Sequence, residues 1–265
     1  MYSESEYIEN TFDELQDKIS SLEGDILQLA TEYMSQLETF EGSIITNEKN
    51  YALLSNSDSF FDEAYESLIA GFLIMLYKKI VSGSNIVTKN MASNGIKLIG
   101  DERSVLDSML GVTNGKIAKN GYLWKIGRMS QVRDKFYNYM MSAISGGVKL
   151  NNALRDVKPI FKSGKTESDF AKFYRLYAYD SVMQAMNAMS LYVANKNGLN
   201  KFLYQGGIIK DSRDFCIERA GKIFTRAEGE AFNNMSWRGK IEGVSFFVGC
   251  GGYNCKHFIQ WLPKE

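Results

Sequence analysis

The chain has 265 residues, of which 45% are hydrophobic and 23% charged, with 31 basic and 31 acidic side chains. That is enough to bury a sizeable core, and three cysteines behind an acidic, polar N-terminus point to reduced thiols or a metal rather than a disulfide framework. The neutral total hides an asymmetry. Residues 1–45 hold eleven acids and one base, net −10, which leaves +10 for the remainder. Such opposed charge points to an acidic element facing a basic partner, and to a mildly basic body.

Residues 8–40 carry the clearest period. Ile8, Phe12, Leu15, Ile19, Leu22, Ile26, Leu29 and Tyr33, then Leu37 and Phe40, recur at steps of four and three. That spacing places one apolar stripe on a helix in a coiled-coil-like register, with a stutter near Tyr33. The other faces are acidic. A helix over 8–40 is predicted, packed on its own domain or docked on another subunit.

A polar break, EGSIITNEKN, follows. A second helix is predicted over 58–81, with acids in its first turn, Lys78 and Lys79 in its last, and SGSN as its stop. Its longest apolar run, residues 68–76, is too short to span a bilayer, and no membrane partner is expected. Residues 82–128 read as short helices with turns, or a hairpin. A helix over 129–145, a break at Gly146-Gly147 and a short helix over 148–158 that stops before Pro159 come next. A long helix is predicted over 167–196, ended by Asn197-Gly198. Its Met183, Met186, Met189 and Tyr192 stripe reads as packed core.

After Asn200 the character changes. Short β-like runs at 201–204, 207–209, 244–248 and 257–262 are separated by glycines and turns, and Thr225 with Glu228 forms a capping box. The expected fold is mainly α: a long N-terminal helix and helical body followed by a small α+β C-terminal module. The expected divisions are an acidic heptad-patterned helix in 1–45, the helical body in 46–198 and the module in 199–265. All three cysteines and the only histidine lie in that module. A module of this size needs a metal, a crosslink or a docking surface to hold together.

Cys216, Cys250, Cys255 and His257 make a Cys3His set that suits tetrahedral zinc. Cys255 and His257, two apart on a strand, would point the same way. The spacing is not that of a zinc finger, because no C-x-x-C pair is present. The same residues allow other readings. Cys216 could pair with Cys250 or Cys255 in a disulfide. Cys216 could be a nucleophile with His257 as its base, oriented by Asp211, Asp214 or Asn254. Or the thiols simply pack in a small core. Gly251-Gly252 is predicted to form a tight turn with positive φ.

The string from Tyr204, Gly206 and Gly207 through DSRDFC, AGKIFT and Trp237-x-Gly239 to GGYNCKH and WLP resembles the C-terminal module of the minor head, or head-morphogenesis, proteins of tailed bacteriophages, the Mu F-like family. Asp211, Arg213 and Cys216 match its Asp-x-Arg segment and following Cys or His. Gly221 and Lys222 match its Gly-Lys pair. Asn254, Cys255, Lys256 and His257 match its late Cys-Arg/Lys-His/Cys element. Lys256 stands where arginine is more usual, and Cys250 lies outside the pattern. The match covers about residues 140–263 and is most specific over the last 60.

The resemblance implies a non-enzymatic virion component at the portal vertex or head interior, in the host cytoplasm during assembly. It would bind the portal protein or other copies of itself through residues 8–40, and would serve head assembly, DNA packaging or ejection. No toxin domain is expected beyond Glu265. A basic body near packaged double-stranded DNA would meet phosphates without reading sequence. No cofactor is required by this reading; a structural zinc, if one is held, would take Cys216, Cys255 and His257, with Cys250 the weaker candidate, and a disulfide or packing alone stays open. A Cys216/His257 thiol hydrolase and a sequence-independent DNA-binding protein are the alternatives.

Overall fold

A computed structural model of the chain describes residues 4–264. The fold is mainly α with a small C-terminal sheet. In chain order, α1 (Glu4–Met34) leads into the two-residue strands β1 (Thr39–Phe40) and β2 (Ser43–Ile44). Then come α2 (Glu48–Ser55), α3 (Ser57–Ala64), a π-helical turn (Tyr65–Ile69) and α4 (Ala70–Ser93). After α5 (Glu102–Leu110) the short strands β3 (Val112–Thr113) and β4 (Lys116–Ile117) form a hairpin. Its turn residues Asn114 and Gly115 both have positive φ. Four helices follow: α6 (Tyr122–Gly127), α7 (Ser130–Ser145), α8 (Leu150–Phe161) and α9 (Asp169–Asn197). The C-terminal part is β5 (Lys201–Gln205), α10 (Asp214–Ile217), β6 (Ile223–Thr225), α11 (Arg226–Phe232), α12 (Phe246–Gly249) and β7 (Phe258–Trp261).

The chain divides into two compact units. One comprises Met1–Asp13, Leu76–Lys116 and Leu176–Glu265; the other comprises Glu14–Met75 and Ile117–Arg175. This partition differs from the consecutive blocks 1–45, 46–198 and 199–265, because α1, α4 and α9 each give residues to both units.

In the second unit the core is aromatic. Tyr33, Phe60, Phe61, Phe136 and Phe161 pack with ring centroids 4.6–6.4 Å apart. Buried Asn50 fixes the chain after α1. Its amide donates to the carbonyls of Glu38 (3.0 Å) and Ile45 (2.8 Å) and accepts from the Glu38 N–H (2.8 Å). Most of the predicted apolar stripe is spent inside the chain: Ile8, Leu15, Ile19, Leu22, Ile26 and Tyr33 on α1 and Leu37 after it are buried, Phe12 and Leu29 are half-buried, and Phe40 is exposed. The helix ends at Met34 rather than reaching Phe40: the Leu37 N–H turns onto the Met34 carbonyl (3.1 Å), the Glu38 N–H goes to Asn50, and Glu41 and Gly42, at positive φ, then turn the chain back as the β1–β2 hairpin.

Two expected stops are not stops. α4 runs through SGSN to Ser93. A β-carbon on Gly83 would lie 2.7 Å from the Met186 sulfur and 2.9 Å from the Tyr7 ring, so this glycine serves close packing rather than helix termination. α8 continues through Pro159 to Phe161, because Ile160 and Phe161 are buried and Phe161 belongs to the aromatic core. Pro159 has no N–H to give the Arg155 carbonyl and its ring crowds that carbonyl, a cost that the burial of Ile160 and Phe161 offsets. The helical stretch Glu48–Ser93 is long and apolar enough by length and composition to cross a membrane. In this fold its Phe72, Leu73, Leu76 and Ile80 are fully buried.

The stop of α9 is as expected. Gly198 has φ +61°, and the Leu199 N–H reaches the Ala194 carbonyl at 2.9 Å. β5 then forms the middle of an antiparallel sheet of order β6-β5-β7. Of the expected strands, 201–204 and 257–262 are present as β5 and β7. Residues 207–209 form a loop in which Ser212 Oγ accepts from the Ile209 N–H at 2.8 Å. Residues 244–248 turn helical because Ser245 caps α12. The capping box of Thr225 and Glu228 opens α11.

Candidate metal centre

β5 and two turns build the site. β5 carries Tyr204, whose backbone is clamped by the Gly-Lys pair. Gly221, at φ +74°, donates to the Tyr204 carbonyl (2.8 Å), and the Tyr204 N–H donates to the Lys222 carbonyl (3.0 Å). The single turn of α10 holds Cys216. The loop between α12 and β7 holds Cys250, Cys255 and His257.

These turns interlock. Arg213 Nη2 donates to the Tyr253 carbonyl at 2.5 Å. The Trp237 indole N–H donates to the Gly251 carbonyl at 2.9 Å, and the Tyr253 N–H to the Gly239 carbonyl at 2.9 Å. A β-carbon on Gly252 would fall 1.8 Å from the Gly239 oxygen, and Gly252 has φ +97°. The predicted turn is therefore present, with positive φ at Gly252 but not at Gly251; Cys250 and Asn254 also take positive φ. Asn254 donates its N–H to Asp180 Oδ1 at 2.8 Å. Burial pushes that carboxyl up to about 6, against the opposing pull of the Asn254 N–H and Arg213.

Within this frame the ligand atoms of Cys216, Cys255 and His257 converge within 4.8 Å of one another. The two sulfurs are 3.9 Å apart, and His257 Nδ1 is 3.6 Å from the Cys255 sulfur. All three residues are at most 5% exposed. Cys255 and His257 converge from the loop before β7 rather than from one strand face. His257 Nε2 is buried without a hydrogen-bond partner among the described residues, and the ring stacks on Tyr204 with centroids 5.1 Å apart.

Cys216 is the acidic member of the sulfur pair. The Cys255 thiol hydrogen-bonded to it holds it well below the ordinary thiol value, helped by His257 and Tyr204 and opposed by burial. The same contact and burial hold Cys255 up. The Gly251 N–H donates to the Cys255 sulfur at 3.2 Å.

Zinc binds thiolate sulfur at about 2.3 Å and imidazole nitrogen at about 2.0–2.1 Å, so a tetrahedral ion sets sulfurs about 3.75 Å apart and sulfur to nitrogen about 3.55 Å apart. The observed separations sit on these edges. The three residues lie close enough to hold a metal ion.

The remaining sequence candidates sort out by position. Cys250 is buried, takes a hydrogen bond from Asn187 Nδ2 at 3.3 Å, and lies outside the converging set; burial pushes its thiol up. Cys216, Cys250 and Cys255 are all free thiols. Asp211 and Asp214 line an adjacent cavity of about 840 Å³ with Arg213 and Trp237. No hydrogen bond joins Asp211, Asp214 or Asn254 to His257 among the described residues, so the orienting group of a thiol–imidazole pair is not supplied. Sequence reasoning missed Tyr204 as part of the site. Compared with known protein families, curated proteins and solved structures, the chain matches none of them.

Proposed function

We propose that the chain is a structural minor head protein of a tailed phage, and that Cys216, Cys255 and His257 hold a structural zinc ion that closes its C-terminal module. One observation carries this reading. The residues of the resemblance, scattered from Tyr204 to His257, interlock around a single buried thiol–imidazole cluster with zinc edge lengths. Arg213, Trp237, Gly239 and Gly252 act there as fasteners. A zinc ion in this place would tie the turns that carry Cys216, Cys255 and His257 to a small three-stranded sheet whose own core is the ring cluster of Phe202, Phe246, Phe247 and Trp261.

The docking surface on α1 shifts with the fold. Most of its apolar stripe is buried, which leaves the acidic face for a basic portal or neighbouring surface: Glu9, Asp13, Asp17, Asp25 and Glu32 are exposed. Deleting residues 1–45 would strip core side chains, so the test is to neutralise Glu9, Asp13, Asp17 and Asp25 to their amides and to follow incorporation into heads. Reduced incorporation of a folded variant supports the docking face, and undiminished incorporation removes it. Elemental analysis after purification without chelators checks the zinc: one ion per chain is expected, and a folded chain with none ends the metal reading.

A further inference from the structure

We propose that Tyr204 is the fourth ligand of this centre, its phenolate oxygen completing a Cys2HisTyr set with Cys216, Cys255 and His257; the proposal rests on the metal reading above. A structural zinc site takes four donors, and cysteine and histidine supply three here. Tyr204 is fully buried. Its oxygen lies 3.4 Å from the Cys216 sulfur and 3.8 Å from the Cys255 sulfur, its hydrogen-bond partners among the described residues. A phenol both donates and accepts, so it can hydrogen-bond one sulfur each way, and the same two separations also fit a shared ion. An oxygen about 2.0 Å from a zinc ion lies about 3.5 Å from each thiolate sulfur on the same ion. The two separations bracket that value.

The other candidate donors already have hydrogen-bond partners. Cys250 is engaged by Asn187, and Asp180 Oδ1 by the Asn254 N–H. The Gly251 backbone covers the space between sulfurs and phenol: a β-carbon there would lie 2.3 Å from one sulfur, 2.7 Å from the other and 3.3 Å from the Tyr204 oxygen. The Tyr204 ring lies within 9° of parallel to the His257 ring, and the Gly221-Lys222 clamp fixes the strand that carries it. Zinc with two thiolates, one phenolate and a neutral imidazole carries the same net single negative charge as a Cys3His site, and the Gly251 N–H offsets part of it. On binding, two thiols and the phenol each give one proton to solvent and the ion sheds its waters; nothing is oxidised or reduced.

The experiment uses the full chain, stripped with a chelator and titrated with zinc, in wild type and Y204F. Tyrosinate absorption is read in the ultraviolet difference spectrum beside zinc content. The expected result is one zinc per chain with a tyrosinate signal on loading. In Y204F that signal is absent and zinc affinity falls about 10-fold or more. Zinc uptake without the signal, the same signal in Y204F, or unchanged affinity overturns the role of Tyr204 and leaves the three-residue centre standing. No zinc uptake by wild type overturns the metal reading itself. Should Y204F not fold, Y204H is read instead: zinc uptake without the tyrosinate signal supports the proposal, and a persisting signal overturns it.

Discussion

Gly251 lies against Cys216 so closely that a β-carbon on the glycine would sit 2.3 Å from the thiol sulfur. The glycine is therefore a wall of the cluster as well as part of a turn. In G251A the Cys216 sulfur must rotate away from Cys255, dismantling the site, at a cost of about 1–3 kcal/mol for overpacking. G207A is the control, since nothing lies within 4 Å of a β-carbon there. The expected outcome is loss of zinc and of thermal stability in G251A and neither in G207A. Zinc content and melting curves decide it.

Removing the metal should loosen the module. An ion bound at 100 times its dissociation constant stabilises the native state by about 2.7 kcal/mol. For a chain of this size that is a shift of roughly 5–10 °C. Chelator should therefore lower the melting temperature, and added zinc should restore it. Both effects should weaken as pH falls, because the thiols must lose their protons to bind. A melting curve indifferent to chelator across pH 6–8 would count against a structural ion.

Much of the helical order was legible because each element carries its own signal. The helix read over 129–145 is α7, and that over 167–196 is α9. What failed was the reading of residues whose reason lies elsewhere in the chain. Gly83 looks like a stop, yet it accommodates Met186 and Tyr7, about a hundred and about eighty positions away. Pro159 looks like a terminator, yet Phe161 is held by Phe60 and Phe136. The α1 stripe was legible as a buried face, but a pattern of apolar residues is the same whether its partner is another subunit or the same chain. In the site, residue type singled out Cys216, Cys255 and His257. Tyr204 opens the motif string of the resemblance, but its residue type does not mark it as a ligand; its two sulfur contacts and its stack on His257 do.

Asp180 should give the fold a local pH dependence. Its carboxyl, 7% exposed, is pushed from 3.8 up to about 6, chiefly by burial. The folded chain thus keeps the proton to higher pH than the unfolded chain. The contribution is fully present below about pH 4 and is lost as pH rises through about 6, amounting to roughly 3 kcal/mol. In D180N the Asn254 N–H keeps an acceptor but the titration is gone. The difference in unfolding free energy between wild type and D180N should therefore drift in favour of D180N between pH 4 and 7. Denaturant melts across that range measure it; parallel curves would refute the assignment.

Glu23 is the other buried acid with a defined task, in the second unit. Its Oε1 accepts from the Ser163 N–H (2.8 Å), Ser163 Oγ (2.6 Å) and Ser168 Oγ (2.5 Å), and Ser168 Oγ in turn accepts from the Ala171 N–H (3.0 Å) to cap α9. One oxygen on α1 thus fixes the loop that starts another helix. E23A leaves the buried Ser168 hydroxyl and the half-buried Ser163 donors without that acceptor, a loss of about 1–3 kcal/mol for each one that water cannot reach. E23Q keeps the carbonyl oxygen, and charge-assisted bonds become neutral ones worth about half as much. The expected order of stability in urea is wild type, then E23Q, then E23A, with S163A closer to wild type than E23A because it removes a single hydroxyl. If E23A and wild type unfold at the same urea concentration, the carboxylate does not anchor the loop and the packing of Leu22 and Ile26 alone holds α1 in place.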